Sequence, residues 1–264
     1  MKSPYYKQIA KYYDLDALDF EKRYSVNHIL QKIRNDFRKV TERYVWDSAL
    51  EIGIGPGMDL LYFSRKYPGR EFYGIDISLE MIKIAREKLQ ENQITNVRIF
   101  RTVPENLNRM ITPRIDLIYC YFGALNTVRS LESIVEVFDE ILSIDGILVL
   151  TFINKWYLFD LVYNVMLLRF QASSARIKNT WKGYSLDKNL KTTCRSSKEI
   201  SETFNPAFKL VEKKGYSIFY PAWPRARFFP RGRFTDLLWR IDQALNRTAL
   251  WQFGEYSLYV FKRK

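Results

Sequence analysis

The residues best placed to hold a small polar ligand fall in two short segments. Glu51-Ile52-Gly53-Ile54-Gly55-Pro56-Gly57 closes a brief apolar run, and Tyr73-Gly74-Ile75-Asp76 follows, its carboxylate 19 residues beyond Gly57. Glycine adopts positive φ and leaves no Cβ between the backbone and a ligand. The first strand-to-helix crossover of an open α/β sheet is also where nucleotides bind. A carboxylate ending the next strand can accept hydrogen bonds from both hydroxyls of a ribose. The dinucleotide fingerprint needs a glycine at the sixth position counted from Gly53, and Met58 stands there, so the NAD pattern fails.

The surrounding periodicity supplies elements to position these groups. Val26, Ile29, Leu30, Ile33, Phe37, Val40 and Tyr44 form one apolar face and predict a helix over 25–44 with Ser25 as N-cap. A buried strand at Ala49–Ile52 runs into the glycine turn and a helix over 58–66. Further strands are predicted at 71–76, 97–100, 115–119 and 147–152, with a Ser78-capped helix burying Met81, Ile82, Ala85 and Leu89 and another lined by Leu131 to Leu142. Such alternation predicts an α/β fold with a parallel sheet covered on both faces. After Asn154 it breaks: an aromatic helix over 156–171, a polar stretch, a short helix near 197–204, a strand over 208–220, an arginine-rich loop, a helix over 234–245 and a strand over 255–261.

An acid followed by G-x-G-x-G resembles motif I of the class I, Rossmann-like S-adenosylmethionine-dependent methyltransferases, and the likeness spans roughly Ala49 to Phe152. It implies a seven-stranded, mostly parallel Rossmann-like sheet with helices on both faces, Tyr256–Phe261 resembling the family's antiparallel last strand. It implies one methyltransferase domain over 1–264, with a helical lid at 1–47, a cofactor-binding core at 48–153, and substrate-side insertions at 154–207 and 221–254. The implied cofactor is S-adenosyl-L-methionine. Glu51, Gly53, Gly55 and Gly57 would form the turn against its methionine part, Asp76 would take the ribose, and Ile77 and Met81 would flank the adenine. The family often has an acid after the third strand, for the adenine amino group. Val103 occupies that place here, so a backbone contact from Val103, or Glu105 reaching in, would substitute. In the fourth-strand motif, Cys120 to Asn126, Tyr121 and Phe122 would border the transferred methyl. Tyr12-Tyr13-Asp14 resembles the family's aromatic lid. A Tyr13 face there would contact the sulfonium for about 0.5–2 kcal/mol, unless these tyrosines simply pack on the surface.

Several chemistries are disfavoured. His28 is the only histidine, and Cys120 and Cys194 have no ligand partners nearby, which speaks against zinc, a Cys/His pair and a Ser-His-Asp triad. No metal is expected, and no catalytic base can be named; His28 sits on the polar side of its helix. The segment after the fourth strand has neither Asn-Pro-Pro-Tyr nor Pro-Cys, against adenine-N6, glutamine and cytosine-C5 methylation. The default is O- or N-methylation by proximity.

Specificity is expected in two places. The apolar segment from Trp156 to Leu168 would line an acceptor pocket, lie at a membrane interface, or pack on the sheet. The loop from Pro221 to Phe234 interleaves Arg225 and Arg227 with aromatics, suited to phosphate, carboxylate or stacked bases, or is a solvated basic loop. Residues 1–171 carry 23 Lys/Arg against 22 Asp/Glu, whereas residues 172–264 carry 19 against 7, so the net charge of +13 belongs to the C-terminal third. No apolar leader is visible in residues 1–10 and the polar groups within 152–170 argue against a spanning helix, so a cytoplasmic protein is expected, with peripheral membrane contact open. Three functions compete: a methyltransferase for a small or lipid-like acceptor, which an anionic group would suit; an RNA methyltransferase using the basic third; and a non-catalytic cofactor-binding protein.

Overall fold

Side chains alternate between two buried faces along the central strands, and this alternation builds the molecule. The computed structural model describes residues 3–112, 114–179 and 192–264. Its strands are β1 (Ser48–Ile52), β2 (Glu71–Asp76), β3 (Val97–Arg101), β4 (Ile115–Cys120), β5 (Leu142–Ile153), β6 (Phe208–Tyr216) and β7 (Tyr256–Arg263). They form one seven-stranded sheet in the order β3-β2-β1-β4-β5-β7-β6. The β1–β5 neighbours pair in parallel, and β7 runs antiparallel between β5 and β6.

The helices are α1 (Pro4–Ser25), α2 (His28–Thr41), α3 (Met58–Lys66), α4 (Leu79–Glu91), α5 (Leu131–Ile141), α6 (Leu158–Met166), α7 (Phe170–Ser174), α8 (Ser197–Phe204) and α9 (Arg233–Leu245). Ile118, Leu148 and Leu150 face α5 and α8 in one core cluster. Leu117, Tyr119 and Val149 face α2, α3 and α4 in the other. Burial on both faces follows from the near-continuous apolar runs of β4 and β5. The chain crosses from one side of β1 to the other on passing from β3 to β4. A crevice at the carboxyl edge is therefore centred on β1 and β4, the position where such sheets bind ligands.

The predicted architecture is the one observed, with local differences. The first predicted helix starts at His28 with the Asn27 side chain accepting from Leu30 N, while Ser25 ends α1 and Val26 is 79% exposed between the two helices. The aromatic helix over 156–171 is two helices broken at Leu168, whose φ is +55°. The polar stretch expected after it lies largely at 180–191, outside the described residues. The β6 strand stops at Tyr216, not at 220. There Ser217 takes φ +59°, and the buried Asp242 carboxylate accepts from the N–H groups of Ile218, Phe219 and Tyr220 at 2.9, 2.7 and 3.1 Å. Three charge-assisted hydrogen bonds outweigh continued strand pairing, and β propensity could not reveal them.

A buried ion cluster fastens α2 to the core. Asp59, in the first turn of α3 and 1% exposed, is held by Arg34 and, at 2.6 Å, by Arg38 Nε. The Arg34 guanidinium also lies between the Tyr24 and Phe122 rings, 4.7 Å from each centroid. Removing one partner of a buried pair leaves its charge undercompensated. Arg34→Ala is expected to cost about 3 kcal/mol or more in stability, read as a lowered urea midpoint at unchanged slope.

Candidate active site

The glycine turn is shaped by the end of the neighbouring strand. Gly53 N and Ile54 N both donate to Ile75 O, at 2.8 and 3.1 Å, and Gly55 N donates to Asp76 Oδ2 at 2.8 Å. Gly53, Gly55 and Gly57 take φ of +73°, +52° and +74°, a region L side chains rarely occupy. A Cβ on Gly53 would come within 2.6 Å of Ala124 Cβ, whereas one on Gly55 would meet nothing within 4 Å. The Gly55 backbone thus borders open space, as a turn that receives a ligand must.

That space is a cavity of about 130 Å³ at the carboxyl edge of the sheet. Gly53, Gly55, Asp76, Ile77, Met81 and Val103 form one side of its lining. Tyr121 and Phe122, beyond β4, face them, and Tyr6, Ile9, Tyr13 and Phe20 of α1 complete it. Helix α1 is tied down beside the cavity by Asp14, whose Oδ1 accepts from Ser78 Oγ at 2.5 Å and from Glu80 N at 3.2 Å at the start of α4. The Asp76 carboxylate accepts from Ser78 N at 2.9 Å as well as from Gly55. Burial nonetheless raises its pKa above the usual aspartate range, the backbone donors opposing that rise.

The remaining sequence candidates lie elsewhere. Glu51 points to the opposite side of β1 and accepts from Tyr119 Oη at 3.1 Å; burial, with the Asp59 charge adding, pushes its carboxyl well above the usual range. Gly57 opens α3, where a Cβ would come within 2.9 Å of Ala85 Cβ on α4, so its lack of a side chain lets two helices meet. Glu105 accepts from Tyr6 Oη and so braces α1. Trp156 is 40% exposed and outside the cavity lining. Arg225 pairs with Asp160 at 3.0 Å and lies 4.2 Å above the Phe159 ring, and Arg227 is exposed beside Phe228. His28 opens α2 away from the cavity, and burial together with the Arg231 charge lowers its pKa. The α1 residues Tyr6, Ile9 and Phe20 were not anticipated. Their steps of three, four and seven around Tyr13 are helical, a signal visible once tyrosine is counted as apolar.

The lining suits S-adenosylmethionine. Asp76 offers ionised acceptors for the ribose hydroxyls, Ile77, Met81 and Val103 offer apolar faces for the adenine, and the Gly53–Gly55 backbone is accessible to the methionine part. Two hydrogen bonds to a charged acceptor, each worth about 1.5–3 kcal/mol, are at stake. Asp76→Ala is expected to weaken cofactor binding about 100-fold or more by calorimetry. Because binding favours the ionised carboxylate, wild-type affinity should be full above the raised pKa. It should fall as pH drops through that pKa, which lies above that of an ordinary aspartate at about 3.9. Asp76→Asn should abolish that dependence.

Comparison with known proteins agrees with this fold. Residues 49–146 match the family model described as a methyltransferase domain. An uncharacterized protein of Methanocaldococcus jannaschii is 26% identical over 97% of this chain and 90% of its own. A tRNA (guanine-N(7)-)-methyltransferase of Clostridium acetobutylicum is 35% identical over 68 residues, 26% of this chain and 30% of that enzyme. Among solved structures, the [4+2]-cyclase SpnF superposes with a TM-score of 0.65 at 15% identity, covering 98% of this chain and 97% of that one. A likeness at that identity establishes the fold, and a cyclase on this fold means that the acceptor chemistry must be argued from the site. Residues 49–146 thus match a methyltransferase domain, and the seven-stranded sheet around them has the Rossmann-like fold of S-adenosylmethionine-dependent methyltransferases.

Proposed function

We propose that this chain transfers a methyl group to an oxygen or nitrogen of a small or lipid-like acceptor, one that an anionic group would suit. S-adenosylmethionine, when bound, supplies a carbon already activated by its positively charged sulfur. The protein's task is then to hold, orient and dehydrate. Asp76 and the glycine turn fix one partner, and the rings of Tyr13, Tyr121 and Phe122 border the place of transfer. Orientation of this kind can contribute roughly 7–11 kcal/mol.

The observation carrying this proposal is the chemical character of the lining. Among the described residues lining the cavity, only Asp76 and the tyrosines Tyr6, Tyr13 and Tyr121 titrate. Burial raises the pKa of each of these tyrosine hydroxyls, so none supplies a phenolate near neutral pH. Tyr121 Oη is further occupied, 2.6 Å from Thr41 Oγ1 and 3.4 Å from Phe37 O. A site without a free base favours acceptors that present a lone pair or lose their proton to solvent. Its aromatic, largely apolar walls favour an acceptor with an apolar body.

The basic C-terminal third and the segment similar to a tRNA methyltransferase support RNA as the competing acceptor. Incubation with methyl-labelled S-adenosylmethionine, total lipid and metabolite extract, and total RNA in parallel separates the two. Label is expected in the lipid or small-molecule fraction. Label confined to RNA would overturn the proposal, and binding of the cofactor without label in either would favour the non-catalytic alternative. Phe122→Ala is expected to reduce turnover about tenfold or more, as misplacement at the reacting centre does, while cofactor affinity stays within a factor of about two.

A further inference from the structure

Helices α6 and α7 bury none of their side chains. Val162, Met166, Leu168 and Phe170 are 50, 77, 77 and 62% exposed, gathered within nine residues and unlike the scattered apolar residues of an ordinary surface. The turn over Trp223–Phe228 joins this face. Arg225 fixes it to α6 through Asp160 and the Phe159 ring, leaving Phe228, 65% exposed, at its end. Exposed cations belong to the same segments: Arg169 between α6 and α7 and Arg227 in the turn. Both segments spring from the carboxyl edge of the sheet, where β5 leads into α6 and β6 into the turn. That is also the edge where the cavity lies.

We infer that α6, α7 and the 223–228 turn form a docking face for the surface of an anionic lipid bilayer, turned so that the cavity's edge of the sheet faces the membrane. The apolar side chains would enter the headgroup boundary, and the arginines would meet lipid phosphates. Charge complementarity commits the face to an anionic surface. Its aliphatic residues commit it to lipid, because Val162, Met166 and Leu168 gain nothing from a nucleic-acid backbone but would each leave water on insertion. No helix among the described residues is long and apolar enough to cross a membrane, so the contact is interfacial. The lipid-like acceptor proposed above explains only why the cavity's edge should face lipid; docking itself does not depend on it.

Vesicle flotation with purified protein tests this without any acceptor. Wild type is expected to float with phosphatidylcholine vesicles containing about 30 mol% phosphatidylglycerol, and about tenfold less with phosphatidylcholine alone. The double variant Met166→Glu/Leu168→Glu should lose about tenfold or more of the binding. Arg169→Ala/Arg227→Ala should bind more weakly and lose the sensitivity to salt. All substituted side chains are exposed, so S-adenosylmethionine affinity by calorimetry should be unchanged and serves as the folding control. Failure of wild type to float, or flotation unaffected by the glutamates, would overturn the inference. Binding of transfer RNA that both double variants lose in step would overturn it in favour of an RNA face.

Discussion

The hydrogen bond from Gly55 N–H to the Asp76 carboxylate joins the ends of the first two strands, and the site is arranged around it. It belongs to a set of three, for Gly53 and Ile54 donate to the carbonyl just before Asp76. The end of β2 therefore imposes the path of the turn after β1, and that path requires positive φ. With the backbone so placed, Ala124 can pack against Gly53, and Ala85 of α4 against Gly57. The same carboxylate receives Ser78 N and so sets the start of α4, which Asp14 then uses to seat α1. A single acidic side chain thus links turn, second crossover and the N-terminal helix before any ligand arrives.

Much of this was legible because it rests on local chemistry. The glycine spacing, the acid at the end of β2 and the alternation of apolar runs are sequence properties, and they specify the sheet and the cofactor side of the cavity. What stayed hidden depends on distant partners. Arg34 and Asp59, 25 positions apart, look like ordinary surface charges until α2 is laid on α3. Asp242 stops β6 from across a helix. Arg225 has the composition of an anion-binding residue, yet it neutralises Asp160 of its own chain. Glu51 reads as part of the ligand turn by position, but strand alternation sends its side chain to the α2–α3 side of the sheet, where it meets Tyr119. One acid of the pair, Asp76, thus meets the cavity, and the other serves the core.

The uneven charge takes on a location once the fold is known. Residues 172–264, with 19 Lys/Arg against 7 Asp/Glu, supply β6, β7 and the segments between them. Part of that excess is engaged internally: Lys214 with Asp36 at 2.5 Å, Arg263 with Asp139 at 2.9 Å and Arg176 with Asp160 at 3.3 Å. Arg227 and Arg231 are exposed in the loop that leads from β6 to α9, and Arg233 is exposed at the start of α9. Part of the unpaired positive charge of the C-terminal third is therefore carried by the segment that leaves the carboxyl edge of the sheet after β6.

The way Asp242 closes β6 has an evolutionary consequence. By gathering three successive N–H groups at the strand's end, it isolates the hydrogen bonding of the sheet from whatever conformation follows. Asp242 itself lies on α9, beyond the loop, so the clasp shuts the segment from 221 to 232 at both of its roots. Within that closure the exposed positions, such as Arg227 and Phe228, can change while the strand pairing is unaffected, whereas Trp223 and Ala226 remain tied to the core. A lineage that kept Asp242 could therefore vary the exposed side chains of this loop without disturbing the register of β6.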